Sequence, residues 1–247
     1  VQVFDRLAST NSTLWEVIDG GAAPGKAIMA IQQTAGRGQW GRQWVSPIGG
    51  LYLSAFWPPN IPAVEVAQLT LCSAWGLAIA LRECGIPVRL KWLNDLMVEG
   101  RKLGGILTET RVKRGIVTHA VVGVGINWTN PVPETGITVQ EICSDQKSSA
   151  NCPTLAMLAA TVLQGLARGW QRCQQSGIEA IVPEYEALLV NLGQSIAWEG
   201  RSGQVAGVEP NGNLRVCWNA QTGESQSFPP GSLSLGYPID ANDRKSR

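Results

Sequence analysis

Histidine is almost missing: His119 is the single one in 247 residues. A multi-histidine metal centre is thereby excluded, and any histidine-based nucleophile activation would rest on a residue set mid-strand in the apolar run from Ile116 to Val122. Cysteine is present but unpatterned. Cys72, Cys84, Cys143, Cys152, Cys173 and Cys217 form no CxxC pair and no metal-ligand spacing, so they read as reduced thiols and no protein-held metal is expected. An excess of one charge is also lacking. Twenty Lys+Arg against nineteen Asp+Glu leave +1, without the basic surplus that nucleic acid or an anionic membrane attracts, so neither is an expected partner. No clean apolar run reaches the roughly 20 residues that span a bilayer. The most apolar stretch, Ala67 to Leu81, is broken by Gln68, Thr70 and Ser73 and reads as a buried helix. Asp5 and Arg6 stand where a signal peptide would place its apolar core, which points to a cytoplasmic chain.

What is present is globular: 44% hydrophobic residues in a length suited to one or two packed domains. Ser9 to Thr13 offers hydroxyl and amide caps, and Glu16 three residues after Thr13 makes a capping-box pattern ahead of a short helix. Strands are expected at 26–33, 51–57, 88–92 and 116–128, and a hairpin at 96–110 with Glu99-Gly100 at its turn. Helices are expected at about 63–84, 153–175 and 178–189. After Asn191 the texture changes to β-like runs at 195–198, 204–208, 214–218, 225–228 and 233–235, separated by Gly, Asn and Pro turns. This spacing predicts a small barrel that leans on the first domain, with a frayed tail at 240–247.

Two phosphate motifs occur by letter and fail by context. Gly20 to Lys26 matches GxxxxGK, yet Ala27 replaces the required hydroxyl; Gly36-x-Gly38-x-x-Gly41 spells a dinucleotide fingerprint, yet a strand follows where a helix should open. The chemistry must then run on Lys, Arg, Asp, Asn and backbone groups. Three segments supply them. The loop Gly36 to Trp44 sets Arg37 and Arg42 among three glycines, so backbone amides and guanidinium forks can approach an anion. No acidic residue lies between Asp19 and Glu65, so Arg37 is expected to lack a partner, and its loop to order only over an anion. Next, Lys91 to Asp95 with Lys102, Gly104 and Gly105 brings two ammonium groups to an Asn-Asp turn, suiting a site that grips a polyanion and needs one carboxylate. Finally, Gly123 to Asn127 is a strand with room on one face and an amide at its end, fit for the edge of a purine or a ureido group.

Together these pieces resemble the biotin protein ligase (biotin–[acetyl-CoA-carboxylase] ligase) family. The matching segments are Ser9-Thr10-Asn11, Gln33 with Ala35 to Gly38, Gly41-Arg42 with Trp44 and Ser46-Pro47, Lys91-Trp92 with Asn94 to Leu96, Arg101 to Leu103 with Gly105 to Leu107, and Gly123 to Asn127. The resemblance implies an α+β fold: a class II aminoacyl-tRNA-synthetase-like mixed sheet with flanking helices over 1–190, and an SH3-like domain over 191–247. It implies activation of biotin with Mg2+ and ATP to biotinyl-5′-AMP, then transfer to a lysine of the biotin carboxyl carrier protein of acetyl-CoA carboxylase, by a monomer or homodimer. Ser9, Thr10, Asn11 and Gln33 would bind biotin, with Arg37, Gly38 and Gln39 closing over its carboxylate and Arg37 and Gly38 also over the α-phosphate, which makes Arg37 a catalytic and ATP-binding residue too. Arg42, Trp44, Asn94 and Asn127 would serve ATP; Lys102 would bridge carboxylate and phosphate beside Gly105, and Asp95 would orient or deprotonate the acceptor lysine. Gln39-Trp40 and Leu93 depart from the family's usual GRGRRG and KWPND. With the Ser-Thr-Asn motif starting at residue 9, a monofunctional ligase without a DNA-binding domain is expected. The rivals are a lipoate ligase, whose double-arginine and GGG-His pattern is not found, and a non-catalytic biotin- or nucleotide-binding module.

Overall fold

The computed structural model describes residues 1–145 and 152–236, so the tail at 240–247 lies outside the described residues. The first part is an eight-stranded mixed sheet. Along it run β1 (Gln2–Leu7), β2 (Ala27–Gln33), β3 (Gly50–Trp57), β8 (Ile116–Asn127), β7 (Arg101–Lys113), β6 (Asp95–Val98) and β5 (Arg89–Lys91). The short β4 (Ile61–Pro62) pairs with β8 off this path. β1 and β2 are parallel and every other pair is antiparallel. The expected turn at Glu99-Gly100 is there, both residues at positive φ (51° and 78°), the geometry whose twist matches a two-residue hairpin. Arg114-Gly115 repeats it between β7 and β8.

Helices cover the two faces unequally. α2 (Ala67–Glu83), α4 (Leu155–Ser176) and α5 (Ile178–Leu188) pack on one face in the main core. α2 is the apolar stretch read from sequence; together with the turn before it, Ala63–Glu83 is long and apolar enough to cross a membrane, yet twelve of the seventeen residues of α2 are buried. It is apolar nearly all round because protein covers it nearly all round. Among the described residues, the opposite face carries one helix, α1 (Thr10–Asp19), whose Leu14 and Ile18 pack against Ile28, Phe56 and Val121. The rest of that face stays open.

β9 (Ser195–Trp198), β10 (Arg201–Val208), β11 (Leu214–Asn219) and β12 (Glu224–Phe228) form a separate antiparallel sheet. Among the described residues it has four strands, not five: 233–235 forms no strand and instead lines the cavity described below. This sheet does lean on the first: Val205, Val208, Leu214, Val216 and Phe228 join the main core, and Trp92 Nε1 donates to Gly212 O at 2.9 Å.

Other expectations shift. Strand β1 was not legible, since an edge strand with mostly exposed side chains shows no apolar alternation. α3 (Val139–Asp145), too short for periodicity, was missed as well. α1 begins at Thr10, so Thr13 and Glu16 lie inside it and form no box; the N-cap is Ser9, whose hydroxyl makes no capping bond.

Candidate active site

Antiparallel register builds the site. Side chains alternate faces with period two, so residues paired across β6, β7, β8 and β3 stand in rows on the open face. One row is Asp95, Gly105, Gly125, Tyr52; the next is Leu107, Gly123, Ser54; the third is Glu109, Val121, Phe56. α1 covers the third row. The first two form the floor of a cavity of about 720 Å3. Two glycines keep that floor clear by necessity: a Cβ on Gly123 would fall 2.3 Å from Asn11 Oδ1, and one on Gly125 would fall 2.5 Å from Trp44 Nε1.

One end is neutral and closed on itself. Gln33 Oε1 accepts from the Thr10 backbone N–H (2.8 Å) and hydroxyl (3.2 Å), while its Nε2 donates to Ser46 Oγ (2.9 Å). Fully buried Ser54 lies 2.7 Å from Thr10 Oγ1 and 2.6 Å from Asn11 Oδ1, donating its one proton between them. Asn11 Nδ2 points the other way, to Glu109 Oε2 at 2.8 Å. Buried polar groups so fully paired hold one arrangement, because any unmade bond there carries its desolvation cost. Ser9 adds a buried hydroxyl not spent on α1.

The other end is charged. Lys102 Nζ sits 2.6 Å from Asp95 Oδ1, with Lys91 Nζ 3.9 Å from Oδ2. Of the described lining residues, Arg37, Arg42, Lys91 and Lys102 are cationic and Asp95 alone is a carboxylate, so the wall suits an anion of several charges. The turn carrying Asp95 is held from behind. Tyr185 donates its hydroxyl to Leu93 O (3.0 Å), and Asn191 Oδ1 accepts from Trp92 N (2.9 Å). Burial raises the Tyr185 phenol well above its ordinary pKa, with Asp95 adding to the shift, so it stays a donor. Asn94 Nδ2 donates to Ile106 O (2.7 Å), tying the turn to β7. Asn127 donates to Lys102 O (3.2 Å) and accepts from Asn130 Nδ2 (3.1 Å), so its amide already braces the Lys102 backbone. Lys102 is further fixed by Thr135 O and by Ile137 N–H.

Between the ends arches the loop 36–44. It is a small hairpin closed by Trp44 N to Gly36 O (3.0 Å) and Gly38 N to Arg42 O (2.7 Å). Trp44 lies against Gly125 with Lys102 Nζ 5.3 Å from a ring centroid, and its buried Nε1 has no hydrogen-bond partner among the described residues. Trp40, at φ 58° and 65% exposed, rests its ring edge on Gly231. Pro230, Leu233 and Leu235 complete the rim, which brings the C-terminal part onto the cavity.

All fourteen residues singled out from the sequence line this one cavity: Ser9, Thr10, Asn11, Gln33, Arg37, Gly38, Gln39, Arg42, Trp44, Asn94, Asp95, Lys102, Gly105 and Asn127. One expectation fails. Arg37 does have an acidic partner, Glu109, at 3.0 Å; it lies 72 residues away on β7, outside any window of local sequence. Ser54 and Glu109 were missed as site residues. Ser54 left a trace as the lone aliphatic hydroxyl inside the apolar run 51–57, whereas Glu109 left none.

Residues 3–127 match the Biotin/lipoate A/B protein ligase family. Over 190 residues the chain is 35% identical to the bifunctional ligase/repressor BirA of Escherichia coli (strain K12), covering 76% of this chain and 59% of that protein. It is 37% identical over 137 residues to the biotin–[acetyl-CoA-carboxylase] ligase of Paracoccus denitrificans, covering 53% of this chain and 56% of that one. The chain thus spans less than two thirds of the length of these curated relatives. Among solved structures, biotin protein ligase from Aquifex aeolicus in complex with biotin and ATP superposes with a TM-score of 0.74 at 26% identity, over 96% of this chain and 97% of that one.

Proposed function

Since the chain belongs to the biotin/lipoate A/B protein ligase family, we propose that it activates biotin with ATP to biotinyl-5′-AMP and passes the biotinyl group to a carrier-protein lysine. The observation that carries this reading is the division of one cavity into a neutral, fully paired end and a cationic end joined by an anion-binding loop. A bicyclic ureido acid that is neutral at its ring and anionic at its head fits that division, with a polyphosphate beyond it.

The first step joins a biotin carboxylate oxygen to the α-phosphorus and breaks the bond to the β-phosphate, releasing pyrophosphate. Ser9, Thr10, Asn11 and Gln33 hold the ring. Arg37, Gly38 and Gln39 close over the carboxylate, and Lys102 exchanges Asp95 for the charge gathering on carboxylate and phosphate, which is where a fixed cation lowers the barrier most. Gly105 leaves space over that pair, since a Cβ there would only reach van der Waals contact at 3.5–3.6 Å. Arg42, Trp44, Asn94 and Asn127 serve the nucleotide. Magnesium fits such a wall because it keeps waters and phosphate oxygens and needs few carboxylates, and Asp95 is the residue that would hold it. Bound there, the ion screens phosphate charge.

In the second step the acceptor amine attacks the acyl carbon, a C–N bond forms, the acyl–oxygen bond breaks and AMP leaves. Asp95, released by Lys102, takes or orients the amine's proton. The acceptor we assign is the biotin carboxyl carrier protein of acetyl-CoA carboxylase, met in the cytoplasm by a monomer or homodimer. The domain division at 190/191 is kept, the second domain completing the rim. Incubation with ATP, magnesium and either biotin or lipoate, followed by mass analysis, tests the reading. Biotinyl-5′-AMP is expected; a lipoyl adenylate alone would reassign the substrate, and biotin binding without adenylate would make this a binding module.

A further inference from the structure

Glu109 lies outside the cavity lining, yet it meets two of the residues that line it, Asn11 and Arg37. Its Oε2 accepts from Asn11 Nδ2 (2.8 Å), Trp15 Nε1 (3.3 Å) and Arg37 Nη2 (3.1 Å), and its Oε1 lies 3.0 Å from the same Arg37 nitrogen. An ionised carboxylate only accepts, so Asn11 must offer it the amide nitrogen and turn its carbonyl inward, toward Ser54. Arg37 also donates to Ser12 at 3.2 Å. The guanidinium that the site reading gives to the substrate's anionic head is therefore already engaged within the chain itself.

We propose that Glu109 is the resident counter-ion of Arg37 and the rival of the substrate's anionic head, which makes it a positioning residue for specificity; the proposal rests on the biotin reading above. The arginine side chain is 46% exposed and sits on a loop whose backbone bonds are internal, so it can change partners without unfolding the loop. A substrate carboxylate or phosphate replaces one anion by another and leaves the guanidinium neutralised. A neutral analogue offers no such exchange, so Arg37 stays on Glu109 and the loop stays off the ligand. Discrimination between charged and uncharged head groups thus depends on what Arg37 must give up.

The test compares biotin with biotinamide, which has the same ring and an uncharged head. Both ligands share Asn11, so any change in Asn11 shifts both affinities alike, and their ratio isolates Arg37. Glu109→Gln keeps an oxygen for Asn11 and removes the charge. The preference for biotin over biotinamide, measured by calorimetry, should rise by about two- to fivefold, the scale of an exposed ion pair. The same substitution in an Arg37→Ala background should leave the ratio unchanged, and Glu109→Asp, which keeps the charge, should keep it near wild type. Hydrogen exchange of residues 36–44 without ligand should be faster in Glu109→Gln. A ratio that falls or stays fixed in Glu109→Gln, or that shifts equally without Arg37, overturns the proposal alone. Failure of the wild-type chain to bind biotin overturns it together with the function it rests on.

Discussion

The two ends of the cavity solve different problems with different materials. At the neutral end Thr10, Asn11, Gln33, Ser46 and Ser54 are tied to one another, most of them buried, and the arrangement is closed by the protein's own groups. At the charged end Lys102 and Asp95 hold each other at 2.6 Å, and each must leave the other to act. The contrast teaches that, on the proposed reading, recognition is preorganised while reactivity is stored in an exchangeable ion pair. Burying a neutral group unpaired costs free energy and burying a charge costs more, so Asp95, itself buried, is held by Lys102 until another partner replaces it.

The contrast breaks most violently at Lys102. Lys102→Ala should cost on the order of 10²- to 10³-fold in biotin-dependent pyrophosphate release, the usual cost of removing a group that stabilises charge developing in a transition state. The thermal midpoint should fall only modestly, because Lys91 still lies 3.9 Å from the buried Asp95 when Lys102 is lost. Retained pyrophosphate release would deny the lysine its role. Next in size is Asp95→Asn, which keeps shape and removes charge. Transfer to the carrier should fall by about 10²-fold and more than adenylation does, as expected when a general base is lost. Equal loss of both half-reactions in single-turnover measurements would make Asp95 a holder of Lys102 only.

The neutral end should respond in the opposite manner, in stability and binding before rate. Ser54→Ala removes the donor shared by Thr10 and Asn11 and leaves a buried oxygen unmet. A loss of about 1–3 kcal/mol in unfolding free energy, with a raised KM for biotin and little change in kcat, is the expected result. An unaltered denaturation midpoint would show that the network relaxes without it. The smallest effect belongs to Trp40→Ala. Its ring is mostly exposed and touches Gly231 at one edge, so surface-scale changes of about twofold in the escape of adenylate are expected, read as biotin on bystander lysines. A change as large as that at Lys102 would mean that the C-terminal contact governs the loop.

Much of this was legible in one dimension, and the physical reason is locality. A hairpin turn such as Glu99-Gly100 is specified by the two residues that adopt positive φ, and α2 by seventeen consecutive residues of suitable polarity. Site residues carried by short motifs, such as Ser9-Thr10-Asn11 or Asn94-Asp95, could be picked out for the same reason. The edge strand β1 could not, because its side chains face water and leave no alternation to read. Nor could Glu109, whose partners Asn11 and Arg37 are 98 and 72 residues away.

From its sequence alone this chain determined which side chains are available for chemistry: almost no histidine, unpaired cysteines, and a set of Lys, Arg, Asp and Asn carried on glycine-rich segments. It also determined most elements, since each answers to its own propensities and turns. The tertiary structure decided which of those groups meet. Antiparallel register set Gly105, Gly125 and Asp95 in one row and Gly123 and Ser54 in the next, and α1 covers only the row beyond them. It decided, too, that Arg37 waits on a carboxylate and that Tyr185 and Asn191 brace the Asp95 turn from behind. Contacts of that kind depend on how strands and helices stack in three dimensions, and no local stretch of chain contains both partners.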